Sequence, residues 1–430
     1  MTAATRLFPT PSAVAADTPA TRDRAIDVIR IGALLGVVVG HTVMATSTLR
    51  DDVFVWGNLL TASPVLQAMT WIFQIMPLFF FAGVAACVES WRPGASWGGW
   101  LLRRCTRLYR PVFAYLAFWA VTLTALRLVL PEHVYEPIAG VSIQLLWFLG
   151  AYVLVLAAVP MLARITTAVH AATAVAGVYL FVAFVDTVRL NADGLAALGY
   201  LNTVVWLVPG VFGVAYRRGL LSGRAAALIG TAMLAVNLAL LWLGPYELSL
   251  VGIESQQVKN MTPPSLLLAG HAIMMCAFAI AAAPAIARWA RRPRVWWLTA
   301  IGNSGAMTLY LWHMPALLAM HVAFAYLGLP RFDPAAPDFV VLSVAQAAIM
   351  AVLVATAFVV LRPLENDPLP LWDGGTVAHP GPRSATVGAL LCVAGVATLA
   401  SVGWGLKEQG LWCVAVMLAA LVAARRLAAA

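Results

Sequence analysis

The first strongly apolar stretch, residues 25–47, carries three ionisable side chains, Asp27, Arg30 and His41. An ionisable group inside an apolar span is costly and is a functional candidate by default. Histidine titrates near neutrality, so it suits the work of a general base or an acyl carrier. On a helical wheel of about 100° per residue, with Arg30 at zero, His41 falls near 20° and Asp27 near 60°, so the three share one face. Along the axis Arg30 and His41 stand about 16 Å apart, which places His41 deep in the span. Asp27 is set to hold Arg30 as an i, i+3 partner. Gly32, Gly36 and Gly40 recur every fourth residue on the opposite face, a spacing that lets a neighbouring helix clamp that side. The plainer alternative is that Asp27 and Arg30 mark the membrane entry and His41 is a packed histidine bonded to backbone.

A second cluster, Arg103-Arg104-Cys105-Thr106-Arg107-Leu108-Tyr109-Arg110-Pro111, precedes the third apolar run. Arginine matches phosphate oxygens bidentately, so Arg103, Arg104 and Arg107 are candidates to hold a polyanion such as a nucleotide pyrophosphate. Anchoring of the span at the cytoplasmic surface accounts equally for any one of them. His313 lies in Leu309-Tyr310-Leu311-Trp312-His313-Met314-Pro315, where Pro315 kinks the helix, and a kinked span with an internal histidine borders a cavity. A satisfied core histidine is the competing reading. His271 gives a weaker signal of the same kind, and His133, His170 and His379 lie in loops or at span ends.

What must position these residues is a membrane bundle. The chain has 430 residues, 62% hydrophobic and 10% charged, where ordinary soluble domains carry roughly a quarter charged residues. Mean hydropathy is +0.87. A bilayer core of about 30 Å needs about 20 apolar residues per helix. Twelve such runs are found, near 25–47, 68–90, 108–130, 141–162, 170–188, 198–216, 224–243, 264–287, 305–327, 338–361, 384–404 and 410–427. With the N-terminus inside, twenty of the 27 Lys and Arg residues fall in cytoplasmic segments and six in outer ones, with Arg30 in the first span. That alternation supports N-in and C-in termini. The expected fold is an all-α polytopic helix bundle of about twelve spans. Residues 1–22 read as a disordered cytoplasmic tail rather than a signal peptide, 23–365 as a ten-helix core, 366–383 as a Pro-rich cytoplasmic loop, and 384–430 as two added helices.

Several functions are excluded. The two lysines, Lys259 and Lys407, follow no glycine-rich loop, so a phosphate-binding GxxxxGK motif is absent. No HExxH or CxxC pattern supports a zinc site, and no metal is expected. Gly94-Ala95-Ser96-Trp97-Gly98 matches GxSxG, but it sits between spans and not at a strand-to-helix elbow. The net charge of +9 is distributed as topology, with a cytoplasmic excess suited to anionic headgroups, and describes no nucleic-acid surface.

With these residues in hand, the chain resembles the acyltransferase-3 family of multispanning membrane acyltransferases. The matching elements are Arg30-x10-His41 with Asp27 before it, Met76-Pro77-Leu78-Phe79-Phe80-Phe81-Ala82-Gly83, the arginine-rich entry ending in Arg107 and Pro111, Leu146-Trp147-Phe148-Leu149, and Tyr310-Leu311-Trp312-His313. They occur in the family's order over roughly residues 23–365. The resemblance implies transfer of an acyl group, usually acetyl, from coenzyme A to a hydroxyl of a glycan, lipid-linked sugar or small metabolite, with His41 catalytic and Arg30 essential. Ala82 departs from the serine that many members carry there. On this reading Arg103, Arg104 and Arg107 hold the phosphates of acyl-CoA, a co-substrate and not a tightly bound cofactor. His313 is a second base or orients the acceptor, and the protein resides in the plasma membrane among its lipids. A twelve-span transporter or flippase is the competing class, against which no repeat between halves is visible. Acceptor selection is expected of outer residues such as Glu247, Glu254, Asn260 and the Met261-Thr262-Pro263-Pro264 turn.

Overall fold

The computed structural model describes residues 8–51, 53–192, 194–253 and 256–429. Among them twelve helices are long and apolar enough to cross a membrane: Arg24–Met44, Pro64–Ser90, Trp97–Val129, Glu132–Ala157, Ala168–Asn191, Ala196–Arg217, Gly223–Leu243, Leu266–Trp289, Ala306–Tyr326, Phe339–Leu361, Pro382–Val402 and Glu408–Ala429. They are referred to below as spans one to twelve. The eighth is the innermost, with 78% of its apolar window buried, while the fifth, at 11%, lies on the outside. The chain is a polytopic helical membrane protein.

Three departures from the expected spans matter for the site. Residues 45–47 do not extend the first helix. Ala45–Arg50 instead pairs antiparallel with Val53–Asn58, Ala45 opposite Asn58 and Arg50 opposite Val53. The run Ala45-Thr46-Ser47-Thr48 is rich in short hydroxyl side chains that favour extended backbone over helix. This hairpin, β1 and β2, is the one sheet among the described residues. The third span begins eleven residues earlier than expected, so Arg103, Arg104 and Arg107 sit on a continuous helix and not in a loop. Its 33 residues extend about 50 Å, well beyond a bilayer core, so the arginine-bearing turns project past it.

The third departure is that two spans are broken in mid-course. The second is interrupted at Gln74 and Ile75, between Pro64–Phe73 and Met76–Cys87. The fourth is interrupted between Val141 and Leu146. Inside a membrane the freed backbone groups need partners from neighbouring helices. His271 Nε2 donates to Gln74 O at 2.9 Å, Tyr115 donates its hydroxyl to Ser142 O at 2.6 Å, and Tyr310 donates to Leu145 O at 2.9 Å. His271 is therefore a packed histidine that satisfies a helix break.

The eleventh span, expected as part of an appended pair, packs directly on the third and fourth. Glycines permit this: a Cβ at Gly98 would stand 2.1 Å from Ser384 O, and one at Gly150 2.5 Å from Gly395 O. Ser96 belongs to this joint. Its hydroxyl accepts from Gly99 N at 3.1 Å, capping the third span, and donates to Ser384 Oγ at 2.9 Å. The GxSxG match is thus a helix cap.

Residues 8–22 depart from the expected disordered tail. Pro11–Ala16 is helical, capped by Thr10, and it packs on the helix Pro293–Ser304. Indole donors on that helix, Trp296 and Trp297, hold the segment. Arg6 lies outside the described residues.

Candidate active site

The first span is placed by its two ends. At its start Asp23 caps the helix, accepting from Ala25 N and Ile26 N at 3.1 and 3.2 Å. At its end the buried Arg331 donates to Val43 O at 2.6 Å, to Ala45 O at 2.5 Å and to Ser343 Oγ at 2.8 Å. A cation at the carbonyl end of a helix satisfies acceptors that have no partner within the helix. Burial pushes the Arg331 guanidinium down to about 10, so it remains charged at neutral pH. Of the three clamp glycines, Gly36 and Gly40 meet Ile75 and Phe73 at the break in the second span, whereas Gly32 faces open space.

Between these ends His41 meets His313 on the ninth span, Nδ1 to Nε2, at 2.9 Å. The ring centroids are 5.2 Å apart and the planes 21° from parallel. The other ring nitrogen of His313, Nδ1, lies 3.1 Å from Leu309 O. A carbonyl only accepts, so His313 Nδ1 carries its proton and Nε2 is the acceptor. His41 Nδ1 must then donate, and His41 Nε2 is left with a lone pair. The pair therefore presents one basic nitrogen, oriented by a second histidine, which is in turn oriented by backbone. His313 is 1% exposed and His41 is half-buried.

A cavity of about 790 Å³ opens at the end where the first span begins. Asp27 and Arg30 line it, with Arg103, Arg104 and Arg107 of the third span. Phe79, Gly83 and Cys87 come from the second, Tyr152 from the fourth, Met307 from the ninth, and Asn303 and Glu365 from the segments flanking the ninth and tenth. The five sequence-selected charged residues are thus brought together, while the two histidines are not in the lining. His313 lies six residues beyond Met307, about 9 Å along the helix. Phe79, Phe148 and Tyr310 fill the interval, with centroids 4.7 Å apart for Phe79 and Phe148 and 5.1 Å for Phe148 and Tyr310. Tyr152 fits beside them because position 83 is glycine: a Cβ there would lie 2.4 Å from the phenol oxygen.

Two expected pairings are corrected. Asp27 does not hold Arg30. Its carboxylate is gripped by Arg22, Nε and Nη2, at 2.6 and 2.7 Å, because Arg22 approaches from the preceding segment with both donors aligned. Arg30 Nε instead donates to Asn303 Oδ1 at 2.7 Å, and Asn303 Nδ2 donates back to Asp27 O at 2.9 Å. Arg104 is also committed within the protein. Its guanidinium lies 3.6 Å over the Trp100 ring and donates to Trp100 O at 3.1 Å and to Ser90 Oγ. Arg103 and Arg107 are exposed, with no hydrogen bond to another described residue, so their donors are available to a ligand.

Glu365, which the sequence reading passed over, reaches the same cavity. It accepts from Thr308 N and Thr308 Oγ1 at 2.9 and 3.0 Å and so caps the ninth span. Burial raises its carboxyl above the usual range, opposed by the Thr308 donors and the nearby Arg107. At the opposite end of the bundle Asn260 is fully buried. It donates to Glu247 O and Ser249 O at 2.7 and 2.8 Å and accepts from Ser265 Oγ at 2.7 Å. It therefore fixes the loop before the eighth span and does not project from a rim. Glu254 lies outside the described residues.

No curated protein and no solved structure matches the chain. A family model described as an acyltransferase domain, that of the acyltransferase-3 family, matches residues 23–362, leaving outside it the last two spans, Glu365 and the segment that packs on Pro293–Ser304. The chain belongs to the acyltransferase-3 family of membrane acyltransferases.

Proposed function

We propose that the protein transfers an acetyl group from acetyl-CoA to a hydroxyl of a glycan, lipid-linked sugar or small metabolite, with His41 Nε2 as the reacting base. The observation that carries this is the His41–His313 hydrogen bond, which leaves one imidazole nitrogen of the pair unprotonated. The cavity end faces the cytoplasm, following the charge alternation. The phosphates of the donor meet Arg30, Arg103 and Arg107, and Arg104 adds charge from its fixed seat on Trp100. The pantetheine arm passes between Phe79 and Tyr310, whose side chains must turn to admit it.

At the pair, His41 Nε2 takes the proton of the acceptor hydroxyl as its oxygen attacks the thioester carbonyl. Coenzyme A leaves as thiolate and is protonated by the imidazolium, so protons and charge balance. Alternatively Nε2 attacks the thioester first and forms an acyl-imidazole that the acceptor then resolves. Both routes use the same nitrogen, and His313 serves in each by holding the His41 Nδ1 proton. The supporting experiment supplies membranes or purified protein with acetyl-CoA and candidate acceptors and follows thiol release. Acceptor-dependent release supports transfer; flux of an unmodified acceptor into sealed vesicles without thiol release would overturn it.

A further inference from the structure

Residues 8–22, which precede the family match, supply part of the cavity. Val14, Asp17, Thr18 and Pro19 line it together with Arg22. The segment is tied at both ends. Near its start Trp297 Nε1 donates to Pro9 O at 2.7 Å. The Phe8 ring lies 6.5 Å from Trp297 and 6.3 Å from Phe358, with the Arg362 guanidinium 4.8 Å over it. Farther along, Trp296 Nε1 donates to Thr18 Oγ1 at 2.7 Å, and Thr18 donates to Val14 O at 2.6 Å. At its end Arg22 grips Asp27 through two nitrogens. Between these ties the helix Pro11–Ala16 buries no residue. A segment with strong point anchors and little buried surface opens locally at small cost while the body of the protein stays folded.

We infer that residues 8–22 are a strap that closes the mouth of the cavity over the nucleotide end of the donor and governs its entry and retention. This rests on the reading of the cavity as the acyl-CoA site. The strap is suited to the task because it adds a cation, Arg22, whose Nη1 has no hydrogen-bond partner among the described residues. It also places Asp17 on the lining, where it disfavours any anion not paired by Arg103 and Arg107. A donor lacking the nucleotide would reach the deeper aromatic zone without touching the strap.

Cys87 offers a reporter, since it lines the cavity and is half-buried, whereas Cys105 and Cys276 are buried. In full-length protein retaining Cys87 alone, maleimide labelling is timed with and without S-methyl-coenzyme A, and with S-methylpantetheine, thioethers that have no free thiol to consume the reagent. S-methyl-coenzyme A slows labelling if the cavity is the donor site, and absence of protection would overturn that reading itself. Phe8→Ala and Thr18→Val, singly and together, each remove an anchor. The double variant speeds labelling of the free protein roughly tenfold and raises the S-methyl-coenzyme A concentration for half-protection by a similar factor. Protection by S-methylpantetheine is unchanged. Labelling and half-protection equal to wild type, in a protein that S-methyl-coenzyme A still protects, would overturn the strap; either single variant with an unaltered melting temperature suffices for this comparison.

Discussion

Arg30 and His41 stand on one helix eleven residues apart, and their surroundings are built on different principles. Arg30 opens into a cavity of about 790 Å³ that gathers cationic side chains from several elements. The His41 side chain has one hydrogen-bond partner among the described residues, at 2.9 Å. Charge acts over several ångströms, so a polyanion site built from many cations loses them one at a time. A hydrogen bond between two imidazoles has no such redundancy, because its length and tautomer are set by single contacts.

The largest contrast expected is in additivity. Loss of the general base in His41→Ala lowers kcat by about 10²- to 10⁴-fold, and His41→Ala/His313→Ala is no worse, since the second residue acts through the first. His313→Gln, which keeps an acceptor for His41 Nδ1, lowers kcat by roughly tenfold and leaves KM for the donor unchanged. Multiplying penalties in the histidine double variant would erase the contrast. In the cavity, Arg30→Ala and Arg107→Ala each raise KM for acetyl-CoA by about tenfold, and in the double variant the factors multiply. Raising ionic strength from about 0.05 to 0.5 M weakens donor binding a few-fold while kcat at saturation holds, since screening reaches the open cavity and not the packed pair. The smallest effect is that of Asn303→Ala, which frees Arg30 and raises KM by about threefold; a change in kcat instead would place Asn303 with the histidines.

The spans were legible because length and apolarity are one-dimensional properties, and so was the face shared by Arg30 and His41, which helical spacing dictates. What was not legible depends on contacts between distant segments. Asn303 stands 273 residues from Arg30, in a stretch that reads as a loop before the ninth span and is in fact the end of a helix with Pro293 in its first turn. Arg22 competes for Asp27 from a segment that composition alone marks as flexible. The break in the second span is marked by Pro77 in the first turn of Met76–Cys87, which has no N–H to donate to Phe73 O; the break in the fourth carries no proline and shows only when Tyr115 and Tyr310 are seen to satisfy it.

Asp186 sharpens the rule that picked out the first span. It also lies within a span, yet its carboxylate accepts from Arg189 Nε, Asn202 Nδ2, Tyr246 OH and Leu266 N at 2.7, 2.7, 3.0 and 2.7 Å. All its capacity is spent joining the fifth, sixth and eighth spans. The cost of burying a charge identifies both residues, and only the count of partners separates a clamp from a site. His41 Nε2 is available for chemistry because its partner occupies Nδ1.

The most direct test measures acetyl transfer and coenzyme A affinity on one preparation of purified, folded His41→Ala protein. Coenzyme A affinity equal to wild type, with transfer reduced at least about 10²-fold, is the predicted result. Transfer at the wild-type rate in that same preparation would contradict the assignment of His41 as the reacting base.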